Sequence, residues 1–209
     1  MSELHAIANR MVEKGKGILA ADESTPTCTK RFEGISTEST AFSRNYYRNL
    51  LLTAKGIDKF ISGVILFDET FHQCELSTGK KYPEYLSDIG ILPGIKVDKG
   101  LEDFADGEKL TVGLDDLSER LNNYHSLGAR FAKWRAVINI SDKLPTIQCI
   151  EANANNLARY ALACQQSNLV PIVEPEVIMN GKHTIDQSYD VTSKTLNAVF
   201  DQLQKYNVS

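Results

Sequence analysis

Five runs of near-continuous apolar character, KGILAAD, ISGVILFDE, PGIKVDK, ARFAKWRAVINI and LVPIVEPEVI, alternate along the chain with segments of helical period. Strands that are apolar throughout are buried on both faces, and strands of that kind are joined by helical crossovers. The pattern therefore specifies parallel βαβ units rather than hairpins. Four of the runs also carry charges where a core strand should have none: Asp22 and Glu23, Lys96, Lys133 with Arg135, and Glu174 with Glu176. A charge removed from water is expensive, so these residues point to chemistry before packing.

The segments between the runs supply the helices. Leu4, Ile7, Ala8, Met11 and Val12 share one helical face, and Gly15 and Gly17 stop that helix. A polar turn after the first run leads into an amphipathic segment from about Thr40 to Ala54, with Phe42, Tyr46 and Leu50 on one stripe. The polar stretch Phe71 to Leu92 reads as a long loop or lid with one short helix. Asp116 and Glu119 have the spacing of a capping box for a helix carrying Leu117, Leu121 and Tyr124. A helix from Thr146 to Gln166 presents Ile147, Ile150, Ala154, Leu157, Ala161 and Cys164. The last, from about Ile185 to Tyr206, presents Leu196, Val199, Phe200 and Leu203.

Two α/β architectures fit parallel units. A doubly wound sheet wants a glycine-rich phosphate turn after its first strand, whereas Gly15-Lys16-Gly17 precedes that strand and lacks the spacing. A TIM (β/α)8 barrel instead places its chemistry on several different strands toward their C-terminal ends, as here. The expectation is a single partial barrel domain over residues 1–209, made of the first five βα units. The formal charge of −4 argues against nucleic acid or an anionic membrane as a partner. Cys28, Cys74, Cys149 and Cys164 are widely spaced, and the N-terminal segment has no apolar signal region, which points to reduced thiols and a cytoplasmic location. His5, His72, His125 and His183 lack metal-ligand spacing, and no metal or cofactor is expected.

The blocks GKGILAADEST, GVILFDETF, GIKVDKG, GLDDLSERL, GARFAKWRAV, EANANNLARYA and VPIVEPEV, taken in order, resemble class I fructose-bisphosphate aldolase over nearly the whole chain. That resemblance implies a glycolytic and gluconeogenic lyase. Such an enzyme cleaves fructose 1,6-bisphosphate reversibly to dihydroxyacetone phosphate and glyceraldehyde 3-phosphate through a lysine Schiff base, without metal. It implies that Asp22 bonds the C4 hydroxyl of the substrate, that Glu174 is the general acid and base, that Lys133 aids dehydration of the carbinolamine, and that Glu176 positions the lysines. Ser24, Thr27, Arg31, Arg48, Lys96 and Arg135 resemble phosphate and sugar contacts. Pro26 and Thr27 stand where many relatives carry Gly and Ser, which keeps a hydroxyl and stiffens the turn.

The residues support these roles without the family. Glu174 and Glu176, like Lys133 and Arg135, are two apart on a strand and so project to one face, where two cations and two anions make a coherent electrostatic arrangement. A buried structural ion-pair network is the other account of the same residues. The block that carries the family's Schiff-base lysine, resembling LEGTLLKPNM, does not occur in the 209 residues. The chain is therefore expected to be an N-terminal portion of an aldolase, inactive alone. Full-length family members are homo-oligomers, and this chain is expected to aggregate or to need a complementary C-terminal chain. Two alternatives stay open: a transaldolase-like barrel with Lys133 as the nucleophile, and a non-catalytic fragment that pairs with a complementary chain.

Overall fold

A computed structural model describes residues 3–105 and 107–209, which divide into two compact units. The first runs to Lys96 and also takes Asn123–Ala132; the second holds Val97–Asn122 and Lys133–Ser209. In chain order the strands are β1 (Gly17–Ala21), β2 (Ile61–Leu66), β3 (Leu92–Lys96), β4 (Leu101–Asp103), β5 (Lys109–Thr111), β6 (Phe131–Ile138) and β7 (Val170–Val177). Five of them form one sheet in the order β1-β2-β3-β6-β7, while β4 and β5 make an antiparallel pair. All five apolar runs are thus sheet strands. The β4–β5 pair was not legible, because its three-residue strands carry neither an apolar run nor a sustained alternation.

In the first unit β1, β2 and β3 are parallel, and Ala21, Leu66 and Ile95 fall on one register line. The strands approach closely at two glycines, since a Cβ on Gly63 would come within 2.9 Å of the Phe131 ring and one on Gly94 would overlap it. Helices α1 (Glu3–Met11), α2 (Thr25–Glu33), α3 (Ala41–Leu52), α4 (Asp68–His72) and α5 (Tyr82–Asp88) follow in order. The expected polar turn after β1 is in fact α2, with Ser24 at its N-cap and Pro26 in its first turn, where proline's missing N–H costs nothing. The Phe71–Leu92 stretch contains α5 and a short Cys74–Lys81 bridge. On α3 the expected stripe lies outward: Phe42, Tyr46 and Leu50 are all more than half exposed, and Arg48 and Leu52 are the buried residues. Val12 is likewise exposed, beyond the end of α1.

In the second unit α7 (Ile147–Gln166) packs on β7 and on α8 (Ile185–Lys205). The α7 face is buried as expected from Ile150 to Cys164, whereas Ile147 in the first turn is exposed. Phe200 of α8 is exposed as well, and Val199 is its buried neighbour. Helix α6 (Leu117–Ser126) buries Leu117, Leu121 and Tyr124. Asp116, however, has φ 54, a left-handed conformation rather than the extended backbone of an N-cap. No helix among the described residues is long and apolar enough to cross a membrane.

One loop of the first unit is organised around a buried carboxylate. Glu75 is 3% exposed and accepts hydrogen bonds from Ser77 N at 2.8 Å, Ser77 Oγ at 3.0 Å, Thr78 N at 2.7 Å and Thr78 Oγ1 at 2.6 Å. Burial alone would raise its pKa, but these donors outweigh burial and hold it down at about 2, against an ordinary 4.5. A depressed carboxylate contributes stability that is present above the unfolded value and lost as pH falls through the folded one. Glu75→Gln is expected to cost about 1–3 kcal/mol at pH 7. That deficit should shrink between pH 4.5 and about 2. Thermal midpoints of both proteins across this range check it, and a deficit independent of pH would contradict it.

Candidate active site

Four of the proposed site residues in the first unit come from the β1–α2 junction. Asp22 follows the last residue of β1 and is 9% exposed. Ser24 caps α2, and its hydroxyl lies 3.0 Å from that of Thr27 one turn on. Arg31 sits in the last turn of the same helix, where the helix dipole favours a cation. Lys96 ends β3, and because Ala21 and Ile95 both register with Leu66, Asp22 and Lys96 lie one residue past a common line, two strands apart. Strand spacing puts their backbones about 10 Å apart. A phosphorylated sugar fragment spans such a distance.

The same junction holds a residue whose importance sequence reasoning missed. The Glu23 carboxylate is ion-paired to both Arg31 and Arg48 and accepts from the Tyr47 hydroxyl at 3.1 Å. Arg48 is 2% exposed, and its Nη2 also donates to the Glu23 carbonyl at 2.8 Å while its Nε donates to Thr70 Oγ1 at 3.3 Å. Arg48, expected as a substrate contact, is here held by acceptors of the protein itself. Its guanidinium is enclosed by the protein's own acceptors, which makes it an internal anchor. Burial by itself would raise the pKa of Glu23, but its own backbone hydrogen bond and the charges of Arg48 and Arg31 leave it below the ordinary carboxylate value. The available signal was the adjacency of Glu23 to Asp22 in AADEST, since neighbouring residues of an extended segment point opposite ways.

In the second unit the expected quartet is assembled by β6 and β7. Lys133 Nζ lies 3.2 Å from Glu174 Oε2, and Arg135 Nε is paired with Glu176 Oε2. The i, i+2 spacing on both strands sets the two pairs side by side on one face, and Trp134, out of phase with them, is fully buried against Tyr160 as expected. The Lys133–Glu174 contact is an ion pair without hydrogen-bond alignment: Glu174 Oε2 is buried and accepts no hydrogen bond among the described residues. No group of His, Cys, Asp or Glu side chains among the described residues is arranged to hold a metal ion.

A family model described as fructose-bisphosphate aldolase class-I matches residues 3–209. The chain belongs to the class I fructose-bisphosphate aldolase family. A probable class 1 aldolase of Xanthomonas campestris is 53% identical over 210 residues, covering 100% of this chain and 63% of the relative. A cytosolic fructose-bisphosphate aldolase of Arabidopsis thaliana is 49% identical over 208 residues, which is 99% of this chain and 58% of the relative. A Plasmodium falciparum aldolase, solved in complex with TRAP and a small-molecule inhibitor, superposes with a TM-score of 0.95 at 50% identity, over 99% of this chain and 60% of that one. The aldolase chain thus spans about 60% of the length of the relatives it matches.

Within this aldolase chain the buried anchor is open to a direct test. Arg48→Met removes one partner of a buried pair, and urea unfolding should show a loss of about 3–5 kcal/mol, since the other charge is left uncompensated. A loss below about 1 kcal/mol would mean that Arg31 alone satisfies Glu23.

Proposed function

We propose that this chain supplies the proton-transfer and phosphate-contact side chains of class I aldolase chemistry, the reversible cleavage of fructose 1,6-bisphosphate to two triose phosphates. The observation that carries the reading is the Lys133–Glu174 ion pair, standing on the FAKWR and VEPE blocks of a chain that aligns along its whole length with aldolases. Breaking the C3–C4 bond requires a base for the proton of the C4 hydroxyl and an acid that returns a proton to the carbon left behind. Glu174 carries the proton in this reading, with Lys133 beside it to stabilise its carboxylate form. Asp22 bonds the C4 hydroxyl, Glu176 fixes Arg135, and Lys96, Arg31, Ser24 and Thr27 face phosphate and sugar oxygens. The five sheet strands are read as five consecutive units of a (β/α)8 barrel forming one domain. The four unpaired cysteines and the cytosolic Arabidopsis relative support a cytoplasmic location.

In this account Lys133 is not the nucleophile but the cation beside Glu174, 3.2 Å from its Oε2. Incubating the 209-residue chain with dihydroxyacetone phosphate and borohydride, followed by tryptic mapping, is expected to leave Lys133 unmodified. A stoichiometric adduct there would replace the proposal with a transaldolase-like one.

In an active preparation carrying this chain, Glu174→Gln should slow cleavage by about 10² or more with little change in sugar-phosphate affinity, the usual contribution of a proton carrier. Normal turnover with a raised KM would reassign Glu174 to substrate binding. Lys96→Ala should weaken fructose 1,6-bisphosphate more than fructose 1-phosphate, by about tenfold for a lost charge-assisted contact. Equal losses on both sugars would make Lys96 structural.

A further inference from the structure

We propose that Glu23 is a positioning residue for Arg31, holding that guanidinium by one edge so that its other edge is presented to a phosphate ester. The proposal rests on the aldolase reading, in which Arg31 is a substrate contact. The two carboxylate oxygens of Glu23 are divided between an inner and an outer partner. Oε2 is paired with Arg48, which is 2% exposed and also grips the Glu23 carbonyl at 2.8 Å through Nη2. Oε1 is paired with Arg31 Nη1 and accepts from the Tyr47 hydroxyl at 3.1 Å.

Glu23 is therefore immobilised from inside, at both its side chain and its backbone, before it meets Arg31. Tyr47 is fixed in turn by an edge-to-face contact with Phe32, centroids 5.8 Å apart, and its hydroxyl lies 3.5 Å from Arg31 Nη1. Only that one nitrogen of Arg31 is engaged: Nη2 and Nε make no hydrogen bond among the described residues, and the side chain is 56% exposed. An exposed arginine normally loses rotamer freedom when it binds an anion, and one held in advance by a rigid partner has less to lose. A planar fork tethered at a single terminal nitrogen keeps its remaining donors for bidentate recognition of a phosphate.

The test is equilibrium binding of fructose 1,6-bisphosphate to the 209-residue chain, by titration calorimetry, for wild type, Arg31→Ala, Glu23→Gln, Tyr47→Phe and the Glu23→Gln/Arg31→Ala double variant. Thermal midpoints run alongside, because Glu23→Gln also weakens the buried partner Arg48; Tyr47→Phe leaves that inner pairing intact. Arg31→Ala should weaken binding about tenfold, and Glu23→Gln and Tyr47→Phe about threefold or more. The double variant should bind no more weakly than Arg31→Ala alone, which a purely structural role of Glu23 would not produce. Independent, multiplicative losses would overturn the proposal. So would tighter binding by Glu23→Gln, which would show that the carboxylate competes with phosphate for Arg31. Wild-type binding with no effect of Glu23→Gln or Tyr47→Phe would sink this inference and leave the aldolase reading standing. A wild-type chain that binds no sugar bisphosphate would sink both.

Discussion

Charges withdrawn from water must be compensated within reach, and the placement of functional side chains in this chain follows from that requirement. Arg48 is almost wholly inaccessible, and an isolated guanidinium there would be prohibitive. Glu23 supplies its counter-charge, and Thr70 and the Glu23 carbonyl take other N–H groups. Compensation of this kind does not add much net stability over an apolar core of the same shape, but it imposes one geometry, because any other leaves a charge stranded. The β1–α2 junction, where Asp22, Ser24, Thr27 and Arg31 cluster, is built around that one geometry.

The second unit obeys the same rule with a different outcome. Lys133 and Glu174 neutralise each other, yet the approach lacks hydrogen-bond alignment and leaves a buried carboxylate oxygen with acceptor capacity. Arg135 and Glu176 are paired more openly, both more than a third exposed, where solvent screens the attraction and the pair is worth little to stability. The two pairs share a face and differ in the burial of the cation: Lys133 is 11% exposed and Arg135 39%, while Glu174 and Glu176 are about equally exposed.

Most of the strand plan was legible because the five sheet strands lie in near-continuous apolar runs, although only β2, β3 and β6 are largely buried, while β1 and β7 are half-buried. The helical periods were legible too, but not which way each face would turn. Phe42, Tyr46 and Leu50 make a regular stripe on α3, yet the side that is buried is the one with Arg48 and Leu52. Periodicity reports that two faces differ; it does not report which one meets protein. The α2 helix was hidden because Ser24, Pro26, Thr27 and Thr29 read as turn residues, although Ser24 at the N-cap and Pro26 in the first turn also suit a helix start.

The sequence by itself determined the family and the parallel strand plan, and it picked out the charged strand residues, because each rests on residue types at fixed local spacing. Lys133 with Arg135 and Glu174 with Glu176 could be read as two same-face pairs from the period of a strand alone. Only the tertiary structure decided which charges meet. The pairing of Lys133 with Glu174, the enclosure of Arg48 and the bridging role of Glu23 depend on strand register and on how α2 and α3 pack on the first strands. Those are long-range distances, set by the balance of burial against charge compensation, and no local pattern encodes them.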